Sequence, residues 1–208
     1  MKSNGQIDLI RLFSVGKSAS TDAMNIGADL EQIKLALTPY APDIIVADIG
    51  DSGDKVAKLI SYYGADKVFG CKYNSSPKST GQLTPTWSEN TNIVSVDKLM
   101  QNKRYIGMVK EGDIHFPKNR ELADLVLYIM HWRNVAIRDE EDEKTGGFYQ
   151  VISRKGDDHY AQASVYSIIG LERLREIFYG GNNYGFNSEF ISTQYDTTPT
   201  KPDIFSAY

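Results

Sequence analysis

Four residues in this chain are of a type, and in a setting, that supports metal-assisted chemistry. Asp48 closes the apolar run IIVA and is followed by the turn IGDSG, so its carboxylate can stand exposed at the end of a strand whose body is buried. Asp157, Asp158 and His159 open the stretch DDHYAQASVYSIIGLERL, which reads as a long helix from Asp157 to Phe178. Capping explains one of these aspartates, because a carboxylate accepts bonds from the free N–H groups of the first turn and suits the positive end of the helix dipole. It does not explain the whole triplet. Carboxylates brought together repel unless a cation neutralises them, and oxygen ligands with few Cys or His partners suit Mg²⁺ or Mn²⁺. Two such ions roughly 3.5–4 Å apart stabilise both the attacking and the leaving oxygen of a phosphodiester cleavage. His159 is then a metal ligand or proton carrier, since imidazole titrates near neutrality, or else a stabiliser of the helix start. The bland alternative for each aspartate is a turn or cap residue.

The elements that must position these groups are legible in outline. IDLIRLFSV, residues 7 to 15, reads as a strand, and Thr21 to Leu37 as a helix stopped by Pro39 and Pro42. PDIIVADIGDSGDKVAKLISYYG is a strand, a glycine-containing turn and a helix from Lys55 to Tyr63, the unit at which open α/β sheets place ligands. DKVFGCKY follows as a strand, and the Ser/Thr/Asn/Pro-rich segment 74 to 92 reads as one long mobile loop bordering the site. Helices are expected from Asp97 to Lys110 and from Asn119 to Ile137, with the short GDIHFP between them. Residues 138 to 156 read as a β-hairpin with Thr-Gly-Gly near the turn, and the acidic run Asp139 to Glu143 as a solvated loop. Gly16-Lys17-Ser18 has the ending of a phosphate-binding loop, but the required glycine five positions earlier is Arg11, so no nucleotide site is expected there.

With 208 residues and 41% hydrophobic content, the chain can bury one substantial core, expected over 1–180, followed by an extended tail over 181–208. The net charge of −4 means that an anionic partner has to be held by local basic groups or by metal. Lys72, Lys78, Arg154 and Lys155, with Lys103 and Arg104, are the candidates for a DNA path that holds backbone without reading sequence. The single cysteine, Cys71, excludes an internal disulfide and reads as a small buried apolar residue, and His131 reads as a packed helical histidine. No apolar run of about 18 residues and no signal-like N-terminus is found, so a cytoplasmic protein without membrane partners is expected.

In their order, VADIGDSGDK, DKVFGCKY, EGDIHFPK before a helix, the hairpin, and KGDDHYAQASVYSIIGLE resemble the C-terminal nuclease domain of phage terminase large subunits over roughly residues 5 to 178. The resemblance implies an α/β, RNase H-like fold: a mixed central β-sheet flanked by helices, with a β-hairpin. It implies Mg²⁺ or Mn²⁺ as cofactor and cleavage of double-stranded viral DNA during genome packaging. The partners it implies are a terminase ATPase domain, the portal and the small terminase subunit, in the host cytoplasm. Carried over, the metal-binding and catalytic positions are Asp48 and the Asp157-Asp158-His159 cluster, without a choice between the two late aspartates. The chain departs from the family at its start, where the first strand of the family bears a further metal-binding aspartate and is followed by two antiparallel strands. This sequence matches from the third strand onward, and Asp8 in IDLIRL lacks the glycine that follows the family's aspartate. The expected consequences are either a fragment completed by strands on another polypeptide or a catalytically incomplete DNA-binding or motor-docking module.

Overall fold

A computed structural model describes residues 7–9, 23–50, 53–74, 78–117 and 123–179. In chain order the elements are β1 (Ile7–Asp8), α1 (Ala23–Leu37), β2 (Ile45–Asp48), α2 (Asp54–Tyr63), β3 (Val68–Tyr73), β4 (Thr86–Ser88) and β5 (Ile93–Val96). They continue with α3 (Lys98–Lys110), β6 (Ile114–His115), α4 (Ala123–Arg133), β7 (Val135–Glu141), β8 (Phe148–Arg154) and α5 (His159–Tyr179). The chain is therefore mixed α/β. Residues 10–22 and the tail expected from 181 onward lie outside the described residues.

The central sheet has the order β2-β3-β5-β4, with β2, β3 and β5 parallel and β4 antiparallel to β5. Parallel strands are buried on both faces, which is why VFGC in β3 and the IVSV of β5 carry apolar residues on both sides. Ile45 and Ala47 face one layer, where they meet Leu30 and Ile33 of α1 and Val56 and Leu59 of α2. Ile44 and Val46 face the other, where α3, α4 and α5 close the larger core around Tyr128, Val165 and Ile169. In that core the Tyr105 and Trp132 rings stack at 4.9 Å.

α5 lies directly on β2. A Cβ added at Gly170 would stand 3.1 Å from a Val46 methyl and 3.2 Å from an Ile44 methyl, so the glycine lets the helix backbone approach the start of the strand. At its other end α5 reaches Tyr73, the last residue of β3, through a hydrogen bond from that hydroxyl to Gln162. The helix thus runs antiparallel to the strands, and its first turn arrives at their carboxyl ends.

Several expectations are corrected. The segment 74–92 is not one irregular loop: Thr86–Ser88 pairs with Ile93–Ser95, and the buried Asp97 accepts hydrogen bonds from Ser79 Oγ, Thr80 N and Thr80 Oγ1. The helix expected to reach Ile137 ends at Arg133, because Val135 and Ile137 find cross-strand partners in Arg154 and Ile152, and β-branched residues gain more there than in a helix. The acidic residues Asp139, Glu140 and Glu141 belong to β7 rather than to a loop, and the hairpin turn follows them. Among the described residues no helix is long and apolar enough to cross a membrane.

Candidate metal centre

Asp48 ends β2 at the carboxyl rim of the sheet and is exposed. Its side chain accepts a 3.3 Å hydrogen bond from the Gly50 N–H, and Gly50 has φ +58°, a left-handed conformation that glycine adopts without strain. Side chains alternate along a strand, so Asp48 shares the α5 face with Ile44 and Val46. Across the ladder it stands in register with Cys71. Burial pushes the Cys71 thiol up to about 12, and the negative charge of Asp48 adds to that.

Tyr73, two residues beyond Cys71, also takes the α5 face, and its ring lies 5.9 Å from that of Tyr166. Both phenols are held well above the ordinary tyrosine range, first by burial. For Tyr73 the further causes include Tyr166 and Asp48; for Tyr166 they include Asp48, Cys71 and Asp158. Two carboxylates from different elements therefore bear on the single Tyr166 phenol. Asp158, Gln162 and Tyr166 are spaced by four, which puts all three on one face of α5.

The late acidic pair divides sharply. Asp158 is 4% exposed, and its carboxylate has one long contact, 3.5 Å from Arg154 Nη1. Asp157 is exposed, with His159 Nε2 3.9 Å from its carboxylate and its backbone carbonyl accepting from the Asn134 amide. The inward-facing residue of the pair is thus Asp158, while Asp157 and His159 form an outer pair. His131 is more than a packed helical residue: its Nδ1 accepts a 3.0 Å hydrogen bond from the Tyr160 backbone N–H, satisfying one of the free donors of the first turn of α5. Its ring also lies 6.0 Å from that of His159. Asp8 pairs with His115 Nδ1 at 3.2 Å, between β1 and β6.

The basic candidates fall into two groups. Lys78 forms an ion pair with Asp142 and lies 4.8 Å above the Tyr149 ring, and Lys103 donates to Gln150, so these two tie the β7–β8 hairpin to the body. Arg104 pairs with Glu172 of α5. Arg154, Lys155 and Lys72 are exposed, the first two leading into the start of α5.

Asp48 and Asp158 offer hard oxygen donors, and Asp158 has Arg154 as its counter-charge at 3.5 Å. Among the described residues, however, no three His, Cys, Asp or Glu side chains gather into a group able to hold a metal ion, so most coordination positions of an ion here would fall to water. Tyr73, Gln162 and Tyr166 went unread in the sequence, although the four-residue spacing from Asp158 places the two α5 residues on its face. Comparison with protein-family models, curated proteins and solved structures finds no match to this chain.

Proposed function

We propose that this chain is an RNase H-like, metal-dependent endonuclease module that cuts double-stranded viral DNA during genome packaging, in the manner of the nuclease domain of a terminase large subunit. One observation carries the reading. Asp48 ends β2 on the face that α5 covers, and Asp158 precedes the first turn of α5, which reaches the carboxyl ends of the strands, so two carboxylates distant in sequence are brought to the same rim of the sheet. Convergence of like charges is costly unless a cation is held between them or near both.

Mg²⁺ or Mn²⁺, when bound, supplies positive charge to the phosphate oxygens and lowers the pKa of the attacking water. Asp48, accessible and oriented by the Gly50 N–H, is the residue that receives an ion from solvent. Asp158 would hold the ion together with Asp48, and Asp157 with His159 would tune the site. Arg154, Lys155 and Lys72 hold DNA backbone without distinguishing bases, while Lys78 is engaged by Asp142. The ATPase domain, portal and small terminase subunit are the partners of this reading, in the host cytoplasm.

A second reading, a catalytically incomplete DNA-binding or motor-docking module, is favoured by the lack of a third metal-ligating group among the described residues. Plasmid nicking in Mn²⁺ separates the two. The nuclease reading expects nicking by this chain, or by this chain extended with the first strands of the family, and loss of it in Asp48→Asn. DNA binding without nicking by either form establishes the second reading instead.

A further inference from the structure

Among the described residues β2 pairs only with β3, so its other edge is open. In a parallel ladder each residue points its N–H and C=O to one side, and successive residues point to opposite sides. Ile45 and Ile49 donate to Lys67 and Cys71, so Val46 and Asp48 turn their backbone groups outward, where they have no hydrogen-bond partner among the described residues. The strand has no lysine, proline or bulge of the kind that protects an exposed edge, and it is apolar up to Asp48. By this strand lies a groove of about 390 Å³. Ile44 lines it together with Ile7 and Leu9 of β1 and with Ile168, Leu171 and Leu174 of α5. The apolar stripe of α5 runs on to Phe178, which is 69% exposed. An open edge takes backbone at regular spacing and the groove takes large apolar side chains, and an extended apolar segment supplies both.

We infer that the occupant is the chain's own C-terminal tail, with residues 186–190 added as a strand to the free edge of β2 and the Phe186 and Phe190 rings seated over α5. The inference needs neither metal nor DNA. The described residues end at Tyr179, the last residue of α5, and residues 180–208 follow it. Gly180, Gly181, Asn182 and Asn183 are turn formers, and in FNSEF the two phenylalanines fall on one face of an extended segment with Asn187 and Glu189 on the other. Gly170 meets Ile44, and α5 continues about 14 Å beyond that point to Tyr179. The stretch from Tyr179 to Phe186 spans up to roughly 23 Å, so Phe186 reaches back to Ile44. Because α5 runs antiparallel to the strands, a segment returning along it lies parallel to β2. Tethered in this way it meets the edge at an effective concentration of about millimolar, which favours it over a strand arriving from solution.

Backbone amide hydrogen exchange on the full chain tests the assignment. The Val46 and Asp48 amides should be protected in the wild type. Phe186→Ser/Phe190→Ser should speed their exchange about tenfold and leave that of Ala47, which faces β3, unchanged; a loss of global stability would move all three alike. Unprotected Val46 and Asp48 amides in the wild type, or protection that survives both serine substitutions, would overturn the proposal, the latter in favour of another occupant. Leu171→Cys/Phe186→Cys in the full chain gives a second reading that does not depend on the serine variant folding. Cys71 is buried, so mild oxidation should join the two new thiols within one chain, as read by mass spectrometry. A disulfide found only between two copies would assign the groove to a second copy instead, and no disulfide at all would also reject the tail as occupant.

Discussion

Asp48 and Cys71 stand opposite one another in parallel register on β2 and β3, the carboxylate exposed at the rim and the thiol buried beneath it. The site is thus open to solvent at Asp48 and closed one strand inward. Because the thiol is buried and faces a negative charge, it stays protonated far into the alkaline range.

Cys71 should therefore resist thiol reagents at about pH 8 in the folded protein and react on unfolding. The sign of the linked stability follows. The folded pKa is raised, so the contribution is fully present below the unfolded value of roughly 8.5. It is lost as the pH rises toward about 12. Asp48→Asn removes the facing charge and should speed alkylation of the native thiol near pH 10, measured by mass spectrometry. An unchanged rate would mean that the carboxylate does not bear on Cys71.

The two late aspartates should behave differently toward metal. Calorimetric titration with Mn²⁺ should lose most of its heat in Asp158→Asn and in Asp48→Asn, and retain it in Asp157→Asn, because Asp48 ends β2 and Asp158 is buried at the start of α5, whereas Asp157 is exposed beside His159. Mn²⁺ should bind more tightly than Mg²⁺, because Mg²⁺ gives up its hydration water reluctantly and two carboxylates offer it little in exchange. Equal heats from Asp157→Asn and Asp158→Asn would refute the assignment of Asp158 as the inward ligand.

Asp97 should prove a strong local anchor. Burial raises its carboxyl, but bonds from Ser79, the Met100 backbone and Thr80 outweigh that and leave it below the ordinary carboxylate value. Asp97→Ala removes both the cap of α3 and the tether of the 78–82 segment, and should cost about 3 kcal/mol in chemical denaturation. With the folded pKa depressed, the stabilisation is present above the unfolded value of about 3.9 and disappears as the pH falls through the folded one. The wild type should therefore lose stability below about pH 4 more steeply than Asp97→Asn.

Gly170→Val should push α5 away from β2, since even a Cβ meets the Val46 and Ile44 methyls at 3.1 and 3.2 Å. Overpacking of this kind costs roughly 1–3 kcal/mol, and Mn²⁺ binding should weaken with it because α5 carries Asp158 toward Asp48. A stable variant with full metal affinity would show that the close approach does not set the site.

The sequence by itself determined the strands and helices whose pattern is local. β2, α2, β3, α3 and α5 each carry a periodic apolar run bounded by glycine, proline or a capping residue, and each was readable within a few positions. Asp48 was readable as a strand-end carboxylate because the run IIVA stops at it. The sequence could not decide where α4 stops and β7 starts, since Val135 and Ile137 continue a helical apolar pattern and are drawn into a strand only by partners on β8. Nor could it place Thr86–Ser88 in the sheet, because so short and polar a segment becomes a strand only through its ladder with Ile93–Ser95. Adjacent in the chain, Asp157 and Asp158 are chemically identical; packing of α5 on β2 and β3 alone buries one and exposes the other. The same packing joins Tyr73 to Gln162 and lays the Tyr73 ring beside that of Tyr166. These relationships are long-range contacts between elements, and local periodicity carries no information about them.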